Sequence, residues 1–323
     1  LDSRTDGEWM LTQHQSRKQD AAFAKDGIEA TVREALAPST PSFNSELRAR
    51  KLDKKLLAEI HREGHGKHKD RALRKGWAFE RFVAKDDRNA PVRSASARAQ
   101  ETFGYGAQVK LVEATQDPKA FPVSALPEVA FVGRTNVGRS SLINAIFNAP
   151  TCPFGNLPGT TTAPHFYRVG DAVMVVDLPG YGMYHPRVAS KLEAENARDA
   201  ARRYLRMTGK HEVGTRNVKR VFVCVQALGL FEEDVRQLEF LETAGTPFGV
   251  IVTKCDKVPV MQLAKRIDYM RSQLAHYQHC HELMLSSALA LTGIAPIQNV
   301  IGNVARPISR TYDAAAEDIA SLV

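Results

Sequence analysis

Cysteine is scarce and scattered in this 323-residue chain: Cys152, Cys224, Cys255 and Cys280 form no C-x-x-C pair. That spacing argues against a disulfide framework or structural zinc, and it favours a reducing compartment. No apolar run approaches the roughly 20 residues needed to cross a bilayer, so a membrane span is not expected. Internal repeats and low-complexity tracts are missing as well. Two histidine-bearing stretches, HREGHGKH (His61, His65, His68) and HYQHCH (His276, His279, Cys280, His281), lack the paired Cys or His–Glu spacing of metal sites. They read as solvated or capping side chains. The sequence starts at Leu1 rather than methionine, and any targeting peptide would lie ahead of it.

What is present is enough for one large core or two domains, since 43% of the residues are hydrophobic. The net charge of +8 is unevenly placed. Residues 51–100 carry 14 Lys and Arg against 7 Asp and Glu, whereas residues 1–50 carry 7 against 8 and residues 101–323 carry 23 against 21. A basic arm of this kind suits a polyanion such as nucleic acid, and a solvated helix face is the plainer alternative. Trp77, Phe79 and Phe82, interleaved with Arg74, Lys75 and Arg81, could stack on RNA or equally anchor a helix to a protein.

Residues 7–37 and 45–88 place apolar residues at helical spacing, among them Leu52, Leu56, Leu57 and Ile60. The pattern predicts two or three helices joined by Pro/Ser-rich linkers at 37–43 and 89–100, packing on a partner rather than on each other. From about residue 105 short β-rich runs alternate with amphipathic stretches, as in a mainly parallel sheet covered by helices. Strands are expected at 109–114, 129–132, 165–169, 172–177, 220–225, 248–253 and 282–285, with a tight hairpin at Gly170-Asp171. Helices are expected near 140–147, 187–207, 232–241, 260–276 and 296–304. The division is thus a basic helical extension over 1–104 and an α/β domain over 105–323.

Function must come from the loops. GRTNVGRS (133–140) follows a buried strand and opens a helix, the context of a phosphate-binding loop. Gly133 and Gly138 let the backbone wrap, so that N–H groups and a helix dipole meet phosphate oxygens, and Ser140 can offer its hydroxyl to Mg²⁺. DLPGYG (177–182) places Asp177 at a strand end, fit to hold a magnesium-bound water, and Gly180 N–H near a terminal phosphate. In TKCD (253–256) Asp256 can accept the N1–H and amino hydrogens of guanine, while the Lys254 stem lies over the ring. SSALALTG (286–293) follows the last strand, where a backbone N–H near Ala288 can meet the guanine O6. In PGTTT (158–162) a threonine can complete a magnesium shell. Each signal alone is common. Five in this order, each at the carboxyl end of a strand, describe a guanine-nucleotide site on an open α/β sheet.

The stretches LPEVAFVGRTNVGRSSLINAI, PGTTT…FY, VDLPGYG and TKCDK resemble the EngB (YihA/YsxC) GTPases over roughly residues 107–305. The resemblance implies a P-loop NTPase, small-GTPase-like three-layer fold with a helical N-terminal extension. It implies GTP or GDP as ligand, Mg²⁺ held by Ser140 and Thr161, and a potassium ion near Asn136. It further implies a nucleotide site built from Gly133, Asn136, Val137, Gly138, Arg139, Ser140, Ser141, Asp177, Gly180, Thr253, Lys254, Asp256, Ser287 and Ala288. The partners it implies are rRNA, an assembly intermediate of a large ribosomal subunit and other assembly factors. Tyr181 stands where some GTPases place a water-orienting glutamine, which is normal for this family. Bacterial members are compact single domains and organellar relatives carry extensions. The basic arm therefore points to the mitochondrial matrix, with the cytoplasm as the alternative.

Two positions depart from the pattern. Gln226 stands where an acidic residue usually closes its strand, remote from the chemistry. More consequentially, Arg139 replaces the loop lysine. Its planar fork is bulkier than an ammonium and cannot take the lysine's place between β- and γ-phosphates. The expectation is retained nucleotide binding with slow or lost hydrolysis. The alternative is a degenerate GTPase-fold domain serving as a structural ribonucleoprotein subunit.

Overall fold

The computed structural model describes residues 43–66, 94–104, 107–153, 161–182, 189–208 and 216–307. The helices expected over 7–37, the aromatic–basic run of 74–82, His68 and Pro158–Thr160 lie outside the described residues.

Seven strands form one sheet in the order β1-β3-β4-β2-β5-β6-β7, where β1 is Val109–Ala114, β2 Glu128–Gly133, β3 His165–Val169, β4 Val173–Asp177, β5 Val218–Gln226, β6 Phe248–Thr253 and β7 Cys280–Leu285. The β4-β2-β5-β6-β7 portion is parallel, and β1-β3-β4 is antiparallel. All seven expected strands are present, with ends moved by two residues or fewer. The hairpin register pairs Val169 with Val173, so its turn holds three residues, Gly170 to Ala172, rather than the expected two.

β2, β4 and β6 are buried at every position, as parallel strands covered on both faces must be. Side chains still alternate. Ala130, Val132, Val176, Val223 and Val250 enter one core, and Val129, Phe131, Val175, Cys224 and Ile251 the other. In chain order the helices are α1 (Phe43–Ala49), α2 (Lys54–Arg62), α3 (Ala97–Phe103), α4 (Arg139–Phe147), α5 (Lys191–Arg206), α6 (Glu232–Thr243), α7 (Val260–Leu274) and α8 (Ile294–Val304). α2, α5, α6 and α7 contribute to the first core; α3, α4 and α8 contribute to the second.

The chain divides into two units, Leu1–Arg50 and Lys51–Val323. In the first, α1 carries Glu46 in its first turn and Arg48 in its last, which suits the helix dipole. The second reaches back well before the boundary expected at 104/105. α2 is capped by Asp53, which accepts from the Lys55 and Leu56 N–H groups, and it buries Leu56, Leu57 and Ile60 in the first core. Its apolar stripe therefore packs against α7 of this same chain rather than on a partner. Residues 97–103, expected as linker and its margin, form α3 behind the Ser96 N-cap. Asn299 of α8 ties it down, accepting from Ser96 N–H at 2.6 Å and donating to the Ser94 carbonyl at 2.9 Å.

At the amino ends of the strands, Glu128 is 1% exposed and receives two bonds from Arg216, at 2.7 and 2.8 Å, and one from the Tyr204 hydroxyl at 2.8 Å. The guanidinium carbon also lies 5.1 Å from the Phe166 ring centroid and 5.4 Å from that of Tyr204. Arg216→Ala would strand a buried carboxylate. Denaturant unfolding should show a loss of about 3–5 kcal/mol, and a loss below about 1 kcal/mol would show that Glu128 finds another partner.

Candidate functional site

β2 ends at Gly133, where a Cβ would lie 2.6 Å from the Cys224 carbonyl oxygen, so only glycine lets β2 and β5 stay paired there. The chain then turns through Asn136 (φ 59°) and Gly138 (φ 101°) into α4. Gly138 supplies no side-chain cap, and the first intrahelical bond is from Leu142 N–H to Gly138 O at 3.0 Å. The N–H groups of Arg139, Ser140 and Ser141 therefore precede the helical ladder and point from its positive end, the arrangement that receives an anion.

The other loops meet this one by direct bonds. The Thr253 hydroxyl at the end of β6 lies 2.8 Å from the Val137 carbonyl and 3.0 Å from that of Val225. Lys254, in left-handed conformation, donates from Nζ to the Asn136 carbonyl at 2.6 Å, with its stem across Gly138. Burial lowers its pKa, Lys257 adds to the effect and Asp256 opposes it. Asp256 lies in the single turn after β6 and accepts from the Ser287 hydroxyl at 2.6 Å. Ser287 is buried and exchanges backbone bonds with Thr292 at 3.0 and 3.1 Å, and Ala288 follows it half-buried. Thr292 in turn lies 3.1 Å from His65 Nδ1, so the turn after α2 braces this loop. At Gly180 a Cβ would lie 2.8 Å from Thr135 N, and Thr135 N–H donates to the Tyr181 carbonyl at 2.8 Å. The sequence-selected residues are thus gathered at one edge, the carboxyl ends of the parallel strands.

The centre of the site differs from the sequence expectation in one respect. Arg139 is only 6% exposed. Its Nε pairs with Asp177 Oδ1, and a terminal nitrogen donates to the Gly133 carbonyl at 3.2 Å. The Ser140 hydroxyl takes the other carboxylate oxygen at 2.7 Å and lies 3.3 Å from Thr161 Oγ1. Three oxygen-bearing side chains converge there, a set suited to a hard divalent cation. The carboxylate among them already carries a guanidinium. A shallow cleft opens beside this group, lined by Thr135, Thr161, Thr162, Gly180, Ala194 and Arg198.

Some participants were not legible in sequence. Arg198 of α5 reaches the Gly182 carbonyl at 2.6 Å, and Arg134 lies 4.1 Å from the Phe231 ring centroid. Tyr181 is held from within the chain. Its hydroxyl donates to Asp234 Oδ1 at 2.7 Å, while Asp234 Oδ2 accepts the Phe231 N–H at 2.9 Å. No motif links Tyr181 with Asp234, 53 residues apart.

A sequence profile described as 50S ribosome-binding GTPase matches residues 128–254. The "Probable GTP-binding protein EngB" of Caulobacter vibrioides is 38% identical over 158 residues, covering 48% of this chain and 65% of that protein. The protein of the same name from Anaplasma phagocytophilum is 34% identical over 51% of this chain and 81% of its own length. That of Aquifex aeolicus is 33% identical over 52% and 85% respectively. Among solved structures, one described as the crystal structure of a probable GTP-binding protein engB matches with a TM-score of 0.42 and 21% identity, covering 55% of this chain and 97% of that one.

The Tyr181–Asp234 bond generates a pH prediction. Burial raises the Asp234 pKa above its ordinary 3.8, and the bonds from Phe231 N–H and Tyr181 pull it back down. A raised carboxyl pKa means the folded state holds its proton longer than the unfolded chain does. Its contribution to stability therefore declines as pH rises from 3.8 through the raised value. Tyr181→Phe removes a donor to the charged form and steepens that decline. Unfolding should show a loss of about 1.5–3 kcal/mol at pH 7 and a smaller one at pH 4; equal losses at both would show that the carboxyl does not change its charge between these pH values.

Proposed function

Because this chain belongs to the EngB family of GTP-binding proteins, we propose that it binds GTP and GDP at the carboxyl edge of its P-loop sheet and acts in assembly of a large ribosomal subunit. The observation that carries the nucleotide reading is the joining of Asp256 to the phosphate loop through Lys254. Ser287 holds one oxygen of Asp256, which fixes the carboxylate plane and leaves acceptor capacity for the guanine N1–H and amino hydrogens. The Lys254 stem forms an apolar shelf for the ring, and the open N–H groups at the start of α4 take the phosphates. Ser140 and Thr161 offer hydroxyls to a Mg²⁺ ion, whose chemistry would be to screen phosphate charge, but the carboxylate beside them, Asp177, is already paired with Arg139. A potassium ion beside Asn136 belongs to the same reading.

Turnover on this reading is slow or lost. Arg139 is committed to Asp177 and Gly133 rather than to phosphate oxygens, and the Tyr181 hydroxyl is committed to Asp234, so neither is placed to stabilise the charge that develops on transfer or to orient water. The description of the matching profile supports the large subunit as the site of action. The excess of Lys and Arg over residues 51–100 suits phosphate contacts with rRNA, and with the resemblance to organellar relatives it supports the mitochondrial matrix.

Titration of the full chain with a fluorescent GDP tests the first step. Asp256→Asn replaces an acceptor with an amide that presents N–H to the guanine amino group. Guanine affinity should fall by about tenfold or more, and xanthine nucleotides, which carry a C2 carbonyl, should gain. Unchanged guanine affinity would remove Asp256 from the site. Sedimentation of tagged protein tests the second step. Presence on immature large subunits is expected, whereas stoichiometric presence on mature ribosomes would favour a structural subunit.

A further inference from the structure

We infer that Arg139 is a built-in counter-cation for Asp177, and that guanine nucleotide binding by this chain is therefore largely independent of Mg²⁺. The inference rests on the nucleotide reading above. Both oxygens of Asp177 are occupied from within the chain, Oδ1 by Arg139 Nε and Oδ2 by the Ser140 hydroxyl. Asp177 and Arg139 are both buried, so their charges are screened chiefly by each other. A divalent cation approaching Ser140 and Thr161 meets a neutral pair with its positive half already in place, instead of an available carboxylate.

The direction of the side chain follows from its shape. Arginine's planar fork can pair with a carboxylate and still donate sideways, here to the Gly133 carbonyl at 3.2 Å. A lysine at this position has its three donors on one compact, strongly hydrated ammonium and lacks the rigid fork that seats Arg139 between the two acceptors. Turning Arg139 outward to phosphate would leave Asp177 buried with its remaining partner only the Ser140 hydroxyl, which disfavours the movement. The positive charge that most phosphate loops spend on the nucleotide is here placed beneath the loop. The phosphates are left to the α4 N–H groups.

The test measures dissociation constants of a fluorescent GDP and a non-hydrolysable GTP analogue for the full chain, with Mg²⁺ and with EDTA. Chelation should change the wild-type constants by no more than about threefold, whereas Arg139→Lys, checked for folding by its melting curve, should lose about thirtyfold or more on chelation. A second readout needs no variant. Mn²⁺ titrated into the wild-type GDP complex and followed by electron paramagnetic resonance should bind no more tightly than to GDP alone. A thirtyfold or larger loss by the wild type in EDTA, or tight Mn²⁺ binding to its complex, would overturn the inference while leaving nucleotide binding intact. Failure of either nucleotide to bind in either buffer would overturn the nucleotide reading and this inference together.

Discussion

The constraint on which the rest depends is that β2, β4 and β6 are covered on both faces and have no room for polar side chains along their length. Polar chemistry is confined to the strand ends, and the two ends solve the problem differently. At the amino ends a buried carboxylate, Glu128, is fully satisfied by Arg216 and Tyr204 and holds α5 and the segment before β5 to the sheet. At the carboxyl ends the backbone leaves its ladders with glycines and left-handed residues, and donors stay open. One end closes the fold and the other receives a ligand. Both ends contain an arginine–carboxylate pair, on the neighbouring strands β2 and β4.

That parallel clarifies what the arginine in the phosphate loop does. Where Glu128 and Arg216 are a structural pair, Asp177 and Arg139 form one in the middle of a binding site, and the loop's shape is held by charge that would otherwise face the ligand. The tie from Tyr181 to Asp234 works the same way on the segment after Asp177, linking it to the start of α6. A site braced by its own side chains begins closer to its bound geometry. It also gives the ligand fewer new contacts with which to shift it between states.

Much of this was readable in the sequence, and the misses have identifiable causes. The strands were legible because β-branched runs bounded by turn residues leave little choice of register, and the five loops because their residue types answer distinct demands of a guanine nucleotide. ARAQETF reads as linker margin because it is short and follows a Ser/Pro-rich stretch; the Ser96 cap is the signal for α3. The stripe of Leu56, Leu57 and Ile60 announced an amphipathic helix, but periodicity cannot say what covers it, and α7 lies two hundred residues away. At Arg139 the residue type was plain and its direction was not. A guanidinium can reach phosphate or Asp177, and the choice depends on burial and on the Gly133 carbonyl, neither of which a sequence displays.

α2 and α3 bear on how the chain comes off the ribosome. They are made before any strand of the sheet, yet they dock on α7 and α8, which follow its sixth and seventh strands. Leu56, Leu57 and Ile60 lack their final contacts until α7 has been made, and Phe103 until α8 has, at synthesis rates of about 5–20 residues per second. The domain therefore cannot close vectorially from its amino end. For tens of seconds of translation its earliest apolar faces are exposed, an interval in which a chaperone or the emerging sheet must cover them.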